Sequence, residues 1–235
     1  MKIAIMQPYF FPYIGYYSLI KYSDRFIVFD TPQFIYHGWI ERNRILKPSE
    51  GWQYIKVSLT KHSRSALIKD VQIKKSEPWQ EKIIAQLQHY KKRAPFFKST
   101  MQIIEQIIFT DFDNIVDLDV KALELTCSYL NIDLNYNLFS QMDIGIDLVN
   151  EPDEWALNIS KAIRAAEYVN PPGGQDFFNK KKFNSSNIKL TFLKNKLNPY
   201  NQNREVFEAG LSIIDVMMFN SPENISKMLT DYELL

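Results

Sequence analysis

Chemistry-bearing residues concentrate in four stretches of the chain. The first is QPYFFPYIGYY, residues 7–17, in which two prolines fix their own φ, push the preceding residue out of the helical region and stiffen the loop. A rigid loop that presents Gln7, Tyr9, Tyr13, Tyr16 and Tyr17 offers an amide, hydroxyls and flat aromatic faces to a sugar, a base or a phosphate. Phe10 and Phe11 carry no polar atom and read as core. The second stretch has Asp30 closing an apolar run, Gln33 shortly after it, and Trp39, Arg42 and Asn43 within HGWIERNRI. On a short helix, Trp39 and Arg42 at i, i+3 would join a stacking surface to a guanidinium fork suited to carboxylate or phosphate. Equally, Arg42 can pair with a neighbouring acid such as Glu41.

The third stretch, EYVNPPGG, reads as a helix running into Tyr168 and Asn170 and broken by two prolines and two glycines. Gly173 and Gly174 there either let backbone approach a ligand or end the helix. The fourth places Tyr200, Gln202 and Arg204 just before the apolar run LSIIDVMMFN. Asp215 inside that run needs a partner if buried. It is a base of raised pKa or a structural acceptor for backbone N–H groups and Ser212. Asp30 and Asp215 are the two carboxylates to consider as a catalytic base.

Several familiar chemistries lack support. No GxSxG, Walker A, GxGxxG, HExxH or kinase signature occurs. His37, His62 and His89 are scattered, so a histidine metal site is not expected, and no cofactor is indicated. The lone Cys127 excludes an internal disulfide and falls in an apolar-periodic segment typical of a buried thiol. A formal charge of +1, from 28 basic and 27 acidic residues, gives no long-range field to recruit nucleic acid. Lys91, Lys92 and Arg93 read as a solvated basic turn. No run reaches the roughly 20 apolar residues needed to span a bilayer. The N-terminus lacks the features of a secretory signal, and cytoplasmic residence is the expectation.

The elements that must position these residues form an α/β pattern. KIAIM (2–6) and RFIVFD (25–30) are apolar strands flanking a helical GYYSLIKYS, a βαβ unit with parallel pairing. In such folds ligands bind beyond the carboxyl ends of the strands, which is where the 7–17 loop would lie. WQYIKVSLT alternates like a strand, residues 77–131 are spaced at helical period, and a second α/β pass ends in NIKLTFL and the capped helix SPENISKML. The expectation is a single domain over 1–235, with a parallel or mixed sheet flanked by helices and a helical subregion at about 77–131.

Taken together, MQPYFFPYIGYYSLI, RFIVFD, PQF, GWIERN, YKKRAPFF, EYVNPPGG, YNQ and LSIIDVMMFN resemble the WbqC-like family of bacterial proteins, from near Met1 to the final helix. The resemblance implies a role in making O-antigen or another surface polysaccharide (lipopolysaccharide biosynthesis). The expected activity is that of a transferase acting on a nucleotide-linked amino sugar, with acyl or aminoacyl transfer as its form and enzymes of the same pathway as partners. The alternatives are a non-catalytic module that holds a sugar nucleotide or a partner, and a degenerate nucleotidyltransferase. The last arises because strand, loop, Y-I-G-Y and helix are also similar to the entry of HIGH-type nucleotidyltransferases. Tyr13 and Tyr16 replace both histidines of that pattern, and tyrosine cannot supply an imidazolium.

Overall fold

A computed structural model describes residues 1–235. Strand β1 (Lys2–Met6) leads through the aromatic loop into helix α1 (Ile14–Tyr22), and the chain returns as β2 (Arg25–Val28). A hairpin follows, β3 (Arg42–Leu46) antiparallel to β4 (Trp52–Lys56). Then come α2 (Trp79–Leu87), α3 (Phe97–Ile108) and α4 (Ile115–Tyr129), which form the helical section expected at 77–131. The second α/β pass comprises β5 (Tyr136–Leu138), α5 (Glu154–Ala162), β6 (Glu167–Asn170), α6 (Lys180–Ser185), β7 (Lys189–Asn195), α7 (Ile213–Phe219), α8 (Pro222–Thr230) and β8 (Tyr232–Leu234).

Six strands form a mixed sheet in the order β5-β2-β1-β6-β7-β8, parallel except where β8 closes antiparallel on β7. Alternation along each strand assigns its side chains to two cores. Ala4, Phe26, Val28, Val169 and Leu193 face the larger core, built with α1 to α4, α7 and α8. Ile3, Ile5, Ile27, Tyr168 and Phe192 face the smaller one, built with α5 and α6. Both faces of the central strands are buried, which is why their sequences read as continuous apolar runs.

Two expectations need correction. The stretch around WIERNRI is not a helix: Arg42 to Leu46 form β3 in register with Lys56 to Trp52. Alternation of buried Asn43, Ile45 with half-exposed Arg42, Arg44 fits a strand, and Trp39 and Arg42 therefore share no helical face. Nor does a helix run into Tyr168 and Asn170. Helix α5 ends at Ala162, Arg164 takes a left-handed φ of 56°, and the chain re-enters the sheet as β6. The left-handed position that usually calls for glycine is filled here by arginine, so the sequence carries no conspicuous stop signal.

Candidate functional site

Strand β1 has β2 on one side and β6 on the other, so the chain leaves its end in one direction and later returns on the opposite side. Open α/β sheets have a crevice at such a reversal, beyond the carboxyl ends of the strands. A cleft of about 1240 Å³ lies there, lined by Ile5, Met6 and Gln7 at the end of β1, Phe29 after β2, and Tyr168 and Asn170 on β6. Pro8, Tyr9, Thr31, Gln33, Ile35, Gly38, Trp39 and Ile40 form one wall, while Trp155, Ala156, Pro171, Gly173, Gly174, Phe177 and Phe178 contribute to the other.

The aromatic loop is held by backbone contacts along its whole length. Phe10 N donates to Trp39 O (3.0 Å), and Ile213 N donates to Pro12 O (2.9 Å). Phe11 has a left-handed φ of 42° with its side chain buried, a strained position for a bulky residue. Asn43 enforces it: its Nδ2 donates to Phe10 O (3.1 Å) and Phe11 O (2.6 Å), and Ser212 Oγ donates to Phe11 O as well (2.8 Å). Only the first half of the loop, Gln7 to Tyr9, therefore faces the cleft. Tyr9 stacks on Trp39 with ring centroids 5.7 Å apart and an interplanar angle of 27°, giving a two-ring platform.

Tyr13 and Tyr16 do not line the cleft. The ring of Tyr13 lies across Gly15, where an added Cβ would fall 2.4 Å from it. Tyr16 is fully buried; its hydroxyl donates to Gln7 O (2.8 Å) and its ring meets Tyr9 edge-on, so it supports the cleft from behind. Burial pushes the Tyr9, Tyr13 and Tyr16 hydroxyls above the usual phenol range. They are neutral donors and acceptors at any physiological pH.

The remaining predicted residues fall into three groups. Gln7, Tyr9, Gln33, Trp39, Tyr168, Asn170, Gly173 and Gly174 come together at the cleft. Asn170 is held there by Tyr168, whose hydroxyl donates to Asn170 Oδ1 (2.9 Å), and Gly174 gives Asn170 room, since a Cβ would lie 2.2 Å from its Nδ2. Arg42 and Asn43 sit behind the wall. Arg42 donates to the carbonyls of Gly38 and His37 and stacks over Tyr54 at 4.1 Å, which pins the segment bearing Trp39. Asp30 is also one layer back: its carboxylate accepts from Ser140 N (2.9 Å) and Ser140 Oγ, fastening the lip at Thr31 to the 139–141 turn.

Tyr200, Gln202 and Asp215 form a separate buried cluster away from the cleft lining. Asp215 on α7 accepts from Tyr90 OH (2.7 Å) at one oxygen and from Tyr200 OH (2.6 Å) and Gln202 Nε2 (2.8 Å) at the other. Burial raises its pKa, against the opposing pull of these three donors. The cluster anchors the 200–208 segment to α7.

Sequence reasoning did not single out Phe29, Thr31, Trp155, Phe177 and Phe178, which line the cleft. Phe177 and Phe178 follow PPGG directly, and Trp155 begins a helix; their nearness to the marked motifs was the available signal. None of the twenty-three lining residues is Lys, Arg, His, Asp or Glu. No group of three or more His, Cys, Asp or Glu side chains anywhere in the structure could hold a metal ion, and no helix is long and apolar enough to cross a membrane.

Fold and site together define an α/β protein with an uncharged, aromatic cleft at the topological switch point of its sheet. More specifically, the chain belongs to the WbqC-like protein family, whose sequence profile matches residues 7–227. It is 28% identical over 222 residues to the uncharacterized protein Rv1507c of Mycobacterium tuberculosis, a match covering 93% of each chain. No solved structure gives a significant match, so the likeness of the N-terminal unit to HIGH-type nucleotidyltransferases gains no support.

Proposed function

We propose that the cleft binds the carbohydrate part of an activated amino sugar during the making of O-antigen or another surface polysaccharide, and that the protein transfers an acyl-type group onto that sugar. The observation that carries this reading is the pairing of the Tyr9–Trp39 platform with the amides of Gln7 and Asn170 in a cleft without charged side chains, while Gln33 donates its Nε2 to Arg64 O (2.6 Å) and keeps only its Oε1 as an acceptor. A sugar ring has an apolar C–H face that packs on an aromatic ring and a hydroxyl edge that pairs with amides. A phosphate would find no cationic side chain on this lining to pair with. In a nucleotide-linked substrate, the diphosphate therefore lies outside the cleft, at its mouth. The same feature disfavours a nucleotidyltransferase, which must hold a triphosphate.

Calorimetry with a panel of UDP-linked amino sugars, their methyl glycosides and UDP alone tests the reading. Both sugar-bearing forms of one panel member bind and UDP alone does not. Trp39→Ala weakens sugar binding by roughly 1–2 kcal/mol, about 5- to 30-fold. UDP binding as tightly as the sugar nucleotide would refute the assignment. A second reading, a binding module without turnover, is favoured by one observation: Asp30 and Asp215 both lie off the lining, which leaves the cleft no carboxylate base. Tight binding without product, in the presence of acyl thioesters, would select it.

A further inference from the structure

The two halves of the cleft differ in chemistry. Gln7, Tyr9, Thr31, Gln33 and Trp39 supply one half with two amides, two hydroxyls and the stacked platform. The other half is bounded by Ile5, Phe29, Trp155, Ala156, Phe177 and Phe178, with Tyr168 and Asn170 beside Phe178. The Tyr168 hydroxyl donates to Asn170 Oδ1 (2.9 Å) and Asn170 Nδ2 to Pro171 O (3.1 Å), so apart from these engaged groups the only side-chain polar atom is the Trp155 indole nitrogen. Ile5 and Ala156 are members of the smaller core, and Phe29, Trp155 and Phe178 pack against it. This half is thus an open extension of that core. Its walls are braced by ring contacts: Phe29 to Trp155 at 5.5 Å, Phe178 to Tyr168 at 5.4 Å and Phe177 to Phe178 at 4.9 Å. Phe177, 52% exposed, forms the mouth, and Ala156, buried on the lining, is the smallest of these side chains.

At about 1240 Å³ the cleft exceeds the roughly 300–1,000 Å³ typical of a single small-molecule site. A sugar on the Tyr9–Trp39 platform leaves the apolar half unfilled, and water there would meet almost no hydrogen-bonding partner. We propose that this apolar compartment takes the hydrocarbon part of an acyl group, beside the sugar, and discriminates against aminoacyl groups. Its link to acyl transfer rests on the functional reading above; the binding preference itself does not. An α-ammonium placed among these side chains would lose its hydration with no carboxylate on the lining to replace it.

The test uses sugar-free probes, so that its failure and failure of the carbohydrate assignment are separate results. N-acetylcysteamine thioesters of acetate, butanoate, hexanoate and octanoate are titrated into the full chain by calorimetry, with an alanyl thioester and its propanoyl counterpart as the charge control. Affinity rises about three- to fourfold per added methylene until the compartment is full, and the propanoyl thioester binds more tightly than the alanyl one. Ala156→Leu, which fills the space from a helical position, removes the dependence on chain length. Phe177→Ser at the exposed mouth lowers octanoyl affinity more than acetyl affinity and serves if the first variant is unstable. Affinity independent of chain length in the native protein, chain-length dependence unchanged in a folded variant, or preference for the alanyl thioester would each overturn the proposal.

Discussion

Replacing Asn43 by alanine tests whether the aromatic loop is built by its clamp. Asn43 is 1% exposed, and its amide serves three backbone groups: Phe10 O, Phe11 O and Arg44 N, the last at 2.7 Å from Oδ1. In Asn43→Ala the Phe10 carbonyl loses its side-chain donor inside the fold, at a cost of about 1–3 kcal/mol. Phe11 O keeps Ser212 Oγ, so its loss is about 1 kcal/mol, and Arg44 N adds a similar amount. The sum is roughly 3–5 kcal/mol, which for a chain of this length lowers Tm by about 6–20 °C. Urea or thermal unfolding followed by circular dichroism measures it. Because both side chains serve Phe11 O, the double variant Asn43→Ala/Ser212→Ala loses about 1 kcal/mol more than the two single losses added together. A loss below about 0.5 kcal/mol for Asn43→Ala, or strict additivity in the cycle, would refute the clamp. The left-handed Phe11 would then be held by side-chain packing and by the flanking backbone bonds of Phe10 N and Pro12 O.

Two further outcomes follow from buried groups. Asp119 on α4 is fully buried with neither carboxylate oxygen hydrogen-bonded, and burial, with a smaller contribution from nearby Glu41, raises its pKa well above the usual range. The unfolded chain ionises this group from about pH 4 while the native state resists, so the wild type loses stability as pH rises from there until the native group ionises. Asp119→Asn escapes that loss and is more stable than wild type at pH 7 but not at pH 3–4; denaturation midpoints that stay parallel across this range would show that the burial costs nothing. Gly174→Ala drives a Cβ to 2.2 Å from Asn170 Nδ2 and 2.9 Å from the Phe178 ring, so it displaces both cleft residues. It destabilises the fold by about 1–3 kcal/mol and weakens ligand binding, whereas native-like stability and affinity would mean that Asn170 has no fixed place in the site.

The sequence by itself determined the outline of this protein. The apolar runs at 2–6 and 25–30 read as strands buried on both faces, the second of which ends at Val28, and the helix between them made them parallel neighbours. That pairing alone puts the loop carrying Gln7 and Tyr9 at the ligand-binding end of a sheet. The helical period of 77–131 and the Ser221 cap of the final helix were also legible, because they depend on local spacing and local hydrogen bonds. Local signals misled where tertiary pairing overrode them. Trp39 and Arg42 fit a helical face, yet hairpin hydrogen bonds made β3, and β6 was hidden because it follows a helix without a glycine or proline between them.

What only the tertiary structure decided is which marked residues meet. Tyr13, Tyr16 and Tyr17 share one loop and helix with Tyr9, but helical rotation and the Asn43 clamp turn Tyr16 and Tyr17 into the interior and lay a half-buried Tyr13 over Gly15, away from the cleft lining. Tyr200, Gln202 and Asp215 satisfy one another, since a buried carboxylate must collect donors wherever the fold offers them. The cleft itself is assembled from the ends of β1, β2 and β6 and the start of α5, segments up to about 170 residues apart. Its neutrality belongs to no one of these segments. It arises because sheet order brings their uncharged positions together while the neighbouring charged side chains Asp30, Arg42 and Glu154 are engaged behind it or along its edge.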